Sequence, residues 1–149
     1  MSVIEDMNYQ AGMFEGEGSI RINKPTKRNM GSLLVDLANT VQSIPLEFQK
    51  MWGGSIKYHP PQGRRKGYWR WRAASKMAEA FLLAMWPCLR TSKYKARCVL
   101  ALDFQSQKAT YGRWVGSDYL DRQWRFYERM KELNHRGHDP LPPHERNRP

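Results

Sequence analysis

Tyr9-Gln10-Ala11-Gly12-Met13-Phe14-Glu15-Gly16-Glu17-Gly18-Ser19-Ile20 is the stretch on which the reading of this chain turns. Ahead of it, Ile4 to Phe14 predicts a helix, with Ser2 as N-cap and Glu5 three residues on completing a capping box. Behind it, Ser19 to Asn23 alternates as a strand does, Ile20 and Ile22 on one face and Ser19, Arg21 and Asn23 on the other. Two carboxylates therefore stand among small residues at a helix end. Negative charge there opposes the helix macrodipole, so Glu17 is unfavourably placed unless a cation binds it.

Working outward, Lys24-Pro25 opens a basic loop through Lys27, Arg28 and Gly31, and Leu33 to Ala38 reads as a second strand with Leu33, Val35 and Leu37 facing one way. Ser43 to Met51 predicts a short helix, Pro45 in its first turn and Gly53-Gly54 ending it. Ser55 to His59 is a third strand, with Ile56 and Tyr58 opposed to Lys57 and His59. A basic hairpin loop, Pro60 to Gly67, leads to the cleanest alternation in the chain, Tyr68 to Ala74. There Trp69, Trp71 and Ala73 oppose Tyr68, Arg70 and Arg72. Ser75 is expected to cap a helix that reaches Trp86 and stops at Pro87. Further helices are expected over about Ser92 to Ser106 and Ser117 to Asn134, the last with Leu120, Trp124, Tyr127 and Lys131 at helical spacing. The order αββαββααα implies an α+β domain with one antiparallel sheet, helices on one face and a basic face opposite.

The 149 residues carry 25 Lys+Arg against 14 Asp+Glu, a formal net charge of +11, which points to a polyanionic partner. With 40% hydrophobic residues the chain is too rich in core formers to be a disordered basic tail. A single domain is expected over residues 1–135, with a core at about 4–106 and a helical extension at 114–135; residues 136–149, rich in Pro and Arg, read as a flexible tail. No apolar run approaches the ~18 residues of a membrane span, and neither a membrane nor a small-molecule substrate is expected as partner. Met1 to Asp6 is acidic and polar, unlike a secretory or transit signal, so a soluble cytoplasmic, nucleoid or organellar location is expected rather than secretion. Cys88 and Cys98 form no C-x-x-C pair and read as buried thiols of a reduced compartment.

The second face of the sheet decides what kind of polyanion. A solvated sheet face without a role normally mixes signs. This one presents Arg21, Asn23, Lys57, His59, Arg70 and Arg72, with Asp36 its only carboxylate, and the loops at its ends add Lys24, Lys27, Arg28, Arg64, Arg65 and Lys66. These side-chain types reach base edges and phosphates in a groove that β-ribbons enter, so all twelve residues are expected to bind nucleic acid, the alternative being a basic surface with no ligand. Ala11, Gly12 and Gly16 are small enough for two helices to approach closely. A helix meeting its own copy there would set two Glu17 side chains near a two-fold axis, where paired carboxylates could hold Mg²⁺ for phosphodiester hydrolysis.

Ala11-Gly12-Met13-Phe14-Glu15-Gly16-Glu17-Gly18, continuing into Ser19-Ile20, resembles the LAGLIDADG motif of homing endonucleases. Asn39-Thr40 leading to Ile44, Trp52-Gly53-Gly54-Ser55-Ile56, and Leu89-Arg90-Thr91-Ser92-Lys93-Tyr94-Lys95-Ala96 resemble further segments of that family, over roughly 100 residues in all. The resemblance implies an αββαββα fold with a four-stranded antiparallel saddle sheet, here followed by extra C-terminal helices. It implies a site-specific endonuclease of a mobile genetic element, cutting both strands of double-stranded DNA with Mg²⁺ or Mn²⁺. Glu17 would be the metal-binding acid with the Gly16 carbonyl beside it, Asn39 the residue that orients the attacking water, and Lys93 the assisting lysine. Ser92 stands at the family's lysine position, with Arg90 and Lys95 as competitors for that role. Only one copy of the motif is present, and single-motif members are homodimers on long pseudo-palindromic sites. Ala11, Gly12, Glu15 and Gly16 would then form the dimer contact, Glu15 as a structural carboxylate.

Two other readings use the same residues. A catalytically inactive relative would be a DNA-binding regulator or an RNA maturase, with fold, dimer and charge unchanged. An RNA binder would stack bases on Tyr68, Trp69 and Trp71, although the alternation places both tryptophans on the apolar side with Ile20 and Ile22. His135, His138 and His144 sit among Gly, Pro and Arg and read as tail residues rather than a metal cluster.

Overall fold

Gly18 is where the first helix becomes the first strand, and its missing side chain permits the junction: a Cβ there would lie 2.0 Å from Cδ2 of Phe14. A computed structural model describes residues 3–26, 31–111 and 117–135. Helix α1 (Val3–Glu17) runs into β1 (Gly18–Ile22) and β2 (Leu33–Asn39), followed by α2 (Ser43–Trp52), β3 (Ser55–His59), β4 (Tyr68–Ala74) and α3 (Ser75–Met85). A 3₁₀ turn, Trp86–Cys88, leads to α4 (Ser92–Tyr111) and α5 (Ser117–Asn134). The sheet is antiparallel throughout, in the order β1-β2-β4-β3, so two hairpins meet along their second strands.

The expected α+β order and the faces of all four strands are found. Leu33, Val35 and Leu37 are buried together with Ile20, Ile22, Trp71 and Ala73. Phe14, Phe48 and Phe81 close over them, with ring centroids 4.9 Å apart for Phe14–Phe81, 5.1 Å for Trp71–Phe81 and 5.2 Å for Phe48–Trp71. Each such side chain contributes about 1.5–3 kcal/mol by leaving water. The Gly53-Gly54 break is set by the same packing. Trp71 Nε1 donates to the Gly53 carbonyl at 2.8 Å, and a Cβ at Gly54 (φ 93°) would lie 2.3 Å from the Arg72 carbonyl oxygen. Trp52 Nε1 donates to Oε1 of the buried Gln10 at 2.8 Å, tying α2 to α1.

Four local expectations are corrected. Helix α1 continues to Glu17 instead of ending at Phe14, so the glycine-rich stretch is helical; burial of Ala11 and Phe14 offsets the ~1 kcal/mol that each helical glycine costs. Ser75 does not cap α3: Ala74 holds that position without a side-chain cap bond, and Ser75 has φ 52°. Helix α4 runs to Tyr111, past Ser106. Among the described residues of α5 the buried ones are Tyr119, Gln123 and Met130, with Lys131 exposed. A glutamine in the middle of the buried stripe hid it from an apolar-period reading. Ser2, the expected cap of α1, lies outside the described residues, as do Lys27, Arg28, Trp114, His138 and His144.

Helix α5 packs on α4 and against β1. Asn134 Nδ2 donates to the Ile20 carbonyl at 2.9 Å, which occupies an acceptor of the edge strand. Among the described residues, no helix is long and apolar enough to cross a membrane.

Candidate nucleic-acid interface and its acidic edge

The polar side of the sheet follows from the register. Ser19, Asp36, Arg72 and Ser55 form one row across all four strands; Ala38, Arg70 and Lys57 form the next; Tyr68 and His59 lie beyond. Lys57 is directly opposite Arg70, and like charges so paired are destabilising in isolation. The His59 ring stacks on Tyr68 with centroids 4.7 Å apart and planes 5° from parallel, and the Arg65 guanidinium lies 4.6 Å from the Tyr68 ring centroid. Desolvation, then the charges of Arg70, Lys57, Arg65 and Arg72, push His59 below the ordinary histidine range, so at neutral pH its ring is uncharged and offers one donor and one acceptor.

Asp36 sits beneath this cationic surface, 7% exposed. Its Oδ1 accepts from the Ser19 hydroxyl at 2.7 Å, its Oδ2 accepts from Arg21 Nη2, and Arg72 Nη2 lies 3.6 Å from the same oxygen. Arg21, Asn23, Lys24, Lys57, Arg64, Arg65 and Lys66 are exposed, and His59, Arg70 and Arg72 are half-buried. Within the Pro60–Gly67 loop, Gln62 and Arg65 exchange backbone hydrogen bonds of 3.1 and 2.8 Å around Gly63 (φ 56°), which holds Arg64 at the tip of a tight turn.

At one edge of this face Glu17, the last residue of α1, and Asn39, the last of β2, line a single concavity with Ala38, Thr40, Arg65, Lys66 and Tyr68. Two residues expected to act together thus line one concavity, beside Arg65 and Lys66, which were expected to bind DNA. Lys93 is not part of this lining; it is exposed in the first turn of α4. Asn39 Oδ1 accepts from the Val41 N–H at 2.8 Å, which leaves the amide NH₂ as the group turned to other use.

The two motif glutamates have separate positions. Glu15 Oε1 accepts from the backbone N–H groups of Arg90 (2.6 Å) and Thr91 (3.2 Å), immediately before α4, where a carboxylate is favoured by the helix dipole. Thr91 Oγ1 accepts from the Tyr94 N–H in the same cap, at 3.4 Å. Glu17 is exposed, and no hydrogen bond or ion pair to it is found among the described residues. Helical geometry also divides the small residues. Ala11 (1% exposed) is packed into the chain's own core, whereas Gly12 and Gly16 face outward, and a Cβ on either would meet nothing within 4 Å. Ala11 and Glu15, expected at a helix–helix contact, are engaged inside the chain.

An unpaired carboxylate at the end of a helix whose final carbonyls lack helical partners offers oxygen donors only, from Glu17 and the Gly16 backbone. Such a set fits Mg²⁺ or Mn²⁺, which bind through one or two carboxylates and complete their shell with water and substrate phosphate. Among the described residues, no cluster of three or more His, Cys, Asp or Glu is found.

Two parts of the site had no signal in the sequence. The Gly31 N–H donates to Oε1 of the buried Gln123 at 2.8 Å, and Lys108 Nζ donates to the Gly31 carbonyl at 2.9 Å, so α4 and α5 hold the end of the β1–β2 loop. Lys24 Nζ lies 5.6 Å from the Trp124 ring centroid, a second link between that loop and α5. The stacking arrangement fails for Trp71, which is wholly buried; Trp69 is half-buried against Tyr58, itself 48% exposed. Cys98 is buried, its thiol pushed up to about 12 by desolvation.

No protein-family model matches this sequence, and no curated protein does. Solved structures match along almost the whole chain. The archaeal intron-encoded homing endonuclease I-Vdi141I, complexed with DNA, has a TM-score of 0.73 at 12% identity over 95% of this chain and 91% of that one. Homing endonuclease I-CvuI, in complex with the I-CreI target, has a TM-score of 0.70 at 14% identity over 93% and 88%. Meganuclease I-SmaMI, bound to uncleaveable DNA, has a TM-score of 0.60 at 15% identity, matching 89% of this chain but 44% of its own. This chain has the fold of the LAGLIDADG homing endonucleases, the family its Ala11–Gly18 stretch resembles.

Proposed function

We propose that the protein is a site-specific double-strand DNA endonuclease of the LAGLIDADG homing type, acting as a homodimer on a long pseudo-palindromic site with Mg²⁺ or Mn²⁺. The observation that carries this reading is the concavity lined by Glu17, Asn39, Arg65 and Lys66 at the edge of a predominantly cationic sheet face. Arg65 and Lys66 neutralise the phosphate there, the Asn39 NH₂ donates to a water and orients it, and Glu17 with the Gly16 carbonyl holds the divalent ion. When bound, that ion supplies Lewis-acid polarisation of phosphate and water. Sheet residues read base edges, and Lys24, Arg64 and the other loop cations contribute salt-dependent affinity.

One subunit brings one carboxylate, so the dimer is part of the reading. Gly12 and Gly16 weaken α1 as a helix yet meet nothing in their own chain, which an approaching second α1 accounts for. I-SmaMI, about half of whose length this chain matches, is the proportion expected of two such units in one polypeptide. The test is selection of cleaved sites from a randomised DNA pool with Mg²⁺, run beside Glu17→Gln. Cleavage by the wild type, lost in the variant with binding retained, supports the reading. Tight binding with no cut site means a DNA-binding regulator or RNA maturase instead, and a solution mass near 17.6 kDa on DNA-free protein removes the preformed dimer.

A further inference from the structure

Asp36 is out of place on a surface built for phosphates, because a carboxylate there lowers the affinity that Arg21, Arg70, Arg72 and Lys57 provide. Reading a base itself is not open to it. An aspartate can accept from cytosine N4, but the Asp36 side chain is 9% exposed and both its oxygens are engaged, by Ser19 and by the two arginines. Stabilising the sheet is a weak reason as well, since ion pairs with arginines this exposed (46% and 41%) contribute little.

The arrangement does accomplish one thing. Arg21 and Arg72 come from strands on either side of β2 and converge on the same Oδ2, Arg21 by a hydrogen bond and Arg72 by an ion-pair contact of 3.6 Å, while Ser19, directly opposite Asp36 on β1, donates to Oδ1. Arg21 keeps donors free beyond its bond to Asp36, and Arg72, whose Nε–H is buried, keeps those of its terminal nitrogens, so each retains the NH₂ donors that a two-pronged contact uses. A free arginine on a basic face would swing to the nearest phosphate; one held by a buried carboxylate keeps its fork for the two acceptors of a guanine edge, O6 and N7.

We propose that Asp36 is a positioning residue for base readout, holding Arg21 and Arg72 as a fixed pair of forks, so that each half-site carries neighbouring G·C pairs beneath the Ser19–Asp36–Arg72 row. The inference rests on the sheet-face DNA reading proposed above. It makes one expectation that a merely structural carboxylate does not: removing Asp36 moves specific and non-specific binding in opposite directions. Discrimination falls because the forks are released, and affinity for random DNA rises because a repulsive charge is gone and Arg21 is free to neutralise phosphate.

The experiment selects bound and cleaved sites from a randomised pool for wild type, Asp36→Asn, Asp36→Glu and Arg21→Lys, and measures random-duplex affinity against salt. The wild type is expected to enrich guanine at two neighbouring positions per half-site. Asp36→Asn is expected to lose there most of a preference on the order of 5- to 150-fold, with other positions unchanged and the log–log salt slope for random DNA steeper by about one. Asp36→Glu is expected to restore part of the preference. Arg21→Lys, which keeps fold and charge, is expected to lose it at one of the two positions, so the inference stays testable if Asp36→Asn does not fold. A wild type that selects a site without guanine at such positions, or an Asp36→Asn profile equal to wild type, overturns the inference and leaves the function standing. Equal weakening of specific and random binding in Asp36→Asn overturns it too, as a structural role would produce. A wild type that selects no site at all overturns both.

Discussion

The backbone N–H of Gly31, at the start of the run into β2, donates to Gln123 Oε1 on α5 across a sequence separation of 92 residues, in a buried contact of 2.8 Å. Gln123 Nε2 in turn donates to Tyr119 Oη at 2.9 Å. The C-terminal helix therefore holds the end of the loop that carries Lys24. Gln123→Leu leaves a buried N–H without an acceptor, and a stability loss of about 1–3 kcal/mol is expected in urea denaturation. Under the proposed function, the variant also loses preference at the base pairs beneath this loop before it loses cleavage at the centre of the site.

The two motif glutamates are expected to behave as different residues. Glu15→Ala removes the acceptor of the Arg90 and Thr91 N–H groups and lowers stability by about 0.5–2 kcal/mol, the range of a lost helix cap, while cleavage per folded enzyme is retained. Glu17→Gln loses no partner and removes a charge that opposes the helix dipole, so the melting temperature is unchanged or a few degrees higher, while cleavage is abolished with DNA binding intact. Thermal denaturation and single-turnover cleavage on the same preparations separate the two.

Glycines of α1 and of the α2–β3 turn are expected to respond oppositely. Gly54→Ala forces a Cβ to 2.3 Å from a backbone oxygen at φ 93°, so loss of cooperative folding is the expected result by calorimetry. The Cβ of Gly12→Leu meets nothing within 4 Å at an exposed helical position, and helix propensity is gained, so a single chain is expected to be as stable as wild type or about 1 kcal/mol better. Its α1 can no longer approach a second copy closely. Sedimentation is expected to show the mass of one chain where the wild type shows two.

Titration of His59 gives a signed pH dependence. Desolvation and four neighbouring cations lower its pKa in the free protein, so NMR is expected to find its midpoint below the model-peptide value of 6.5. Because the folded state binds this proton less readily than the unfolded chain, the histidine favours the unfolded state as pH falls from about 6.5 through the lowered value. Phosphates reverse the local field and raise the pKa in the complex. Binding then takes up a proton, and affinity for DNA rises as pH is lowered through the same window. His59→Gln is expected to remove that increment of pH dependence.

Much of the architecture could be read along the chain because it is carried by local periods. The alternation of Tyr68 to Ala74 placed Trp71 in the core and Arg70 and Arg72 on the other face, as found. The Gly53-Gly54 break and the order of strands and helices were equally local, and so was the one-signed charge of the sheet face. The sequence also singled out Glu17 and Asn39, and they do share a concavity. The resemblance distinguished Glu15, as a structural carboxylate, from Glu17, as the metal-binding acid, but not what Glu15 holds: the Arg90 and Thr91 N–H groups reach it only once the end of α1 lies beside the start of α4. It named Lys93, which is exposed in the first turn of α4, and gave no sign that Arg65 and Lys66, from a loop nearly fifty residues away in the chain, line the same concavity as Glu17. Local periodicity, composition and short motifs determined the elements, their faces and the charge of this protein. Only the tertiary structure decided which side chains meet, because Asp36 with Arg21 and Arg72, Gln123 with Gly31, and Glu15 with the start of α4 are single hydrogen-bonded or ionic contacts between distant segments, and such contacts leave no period behind.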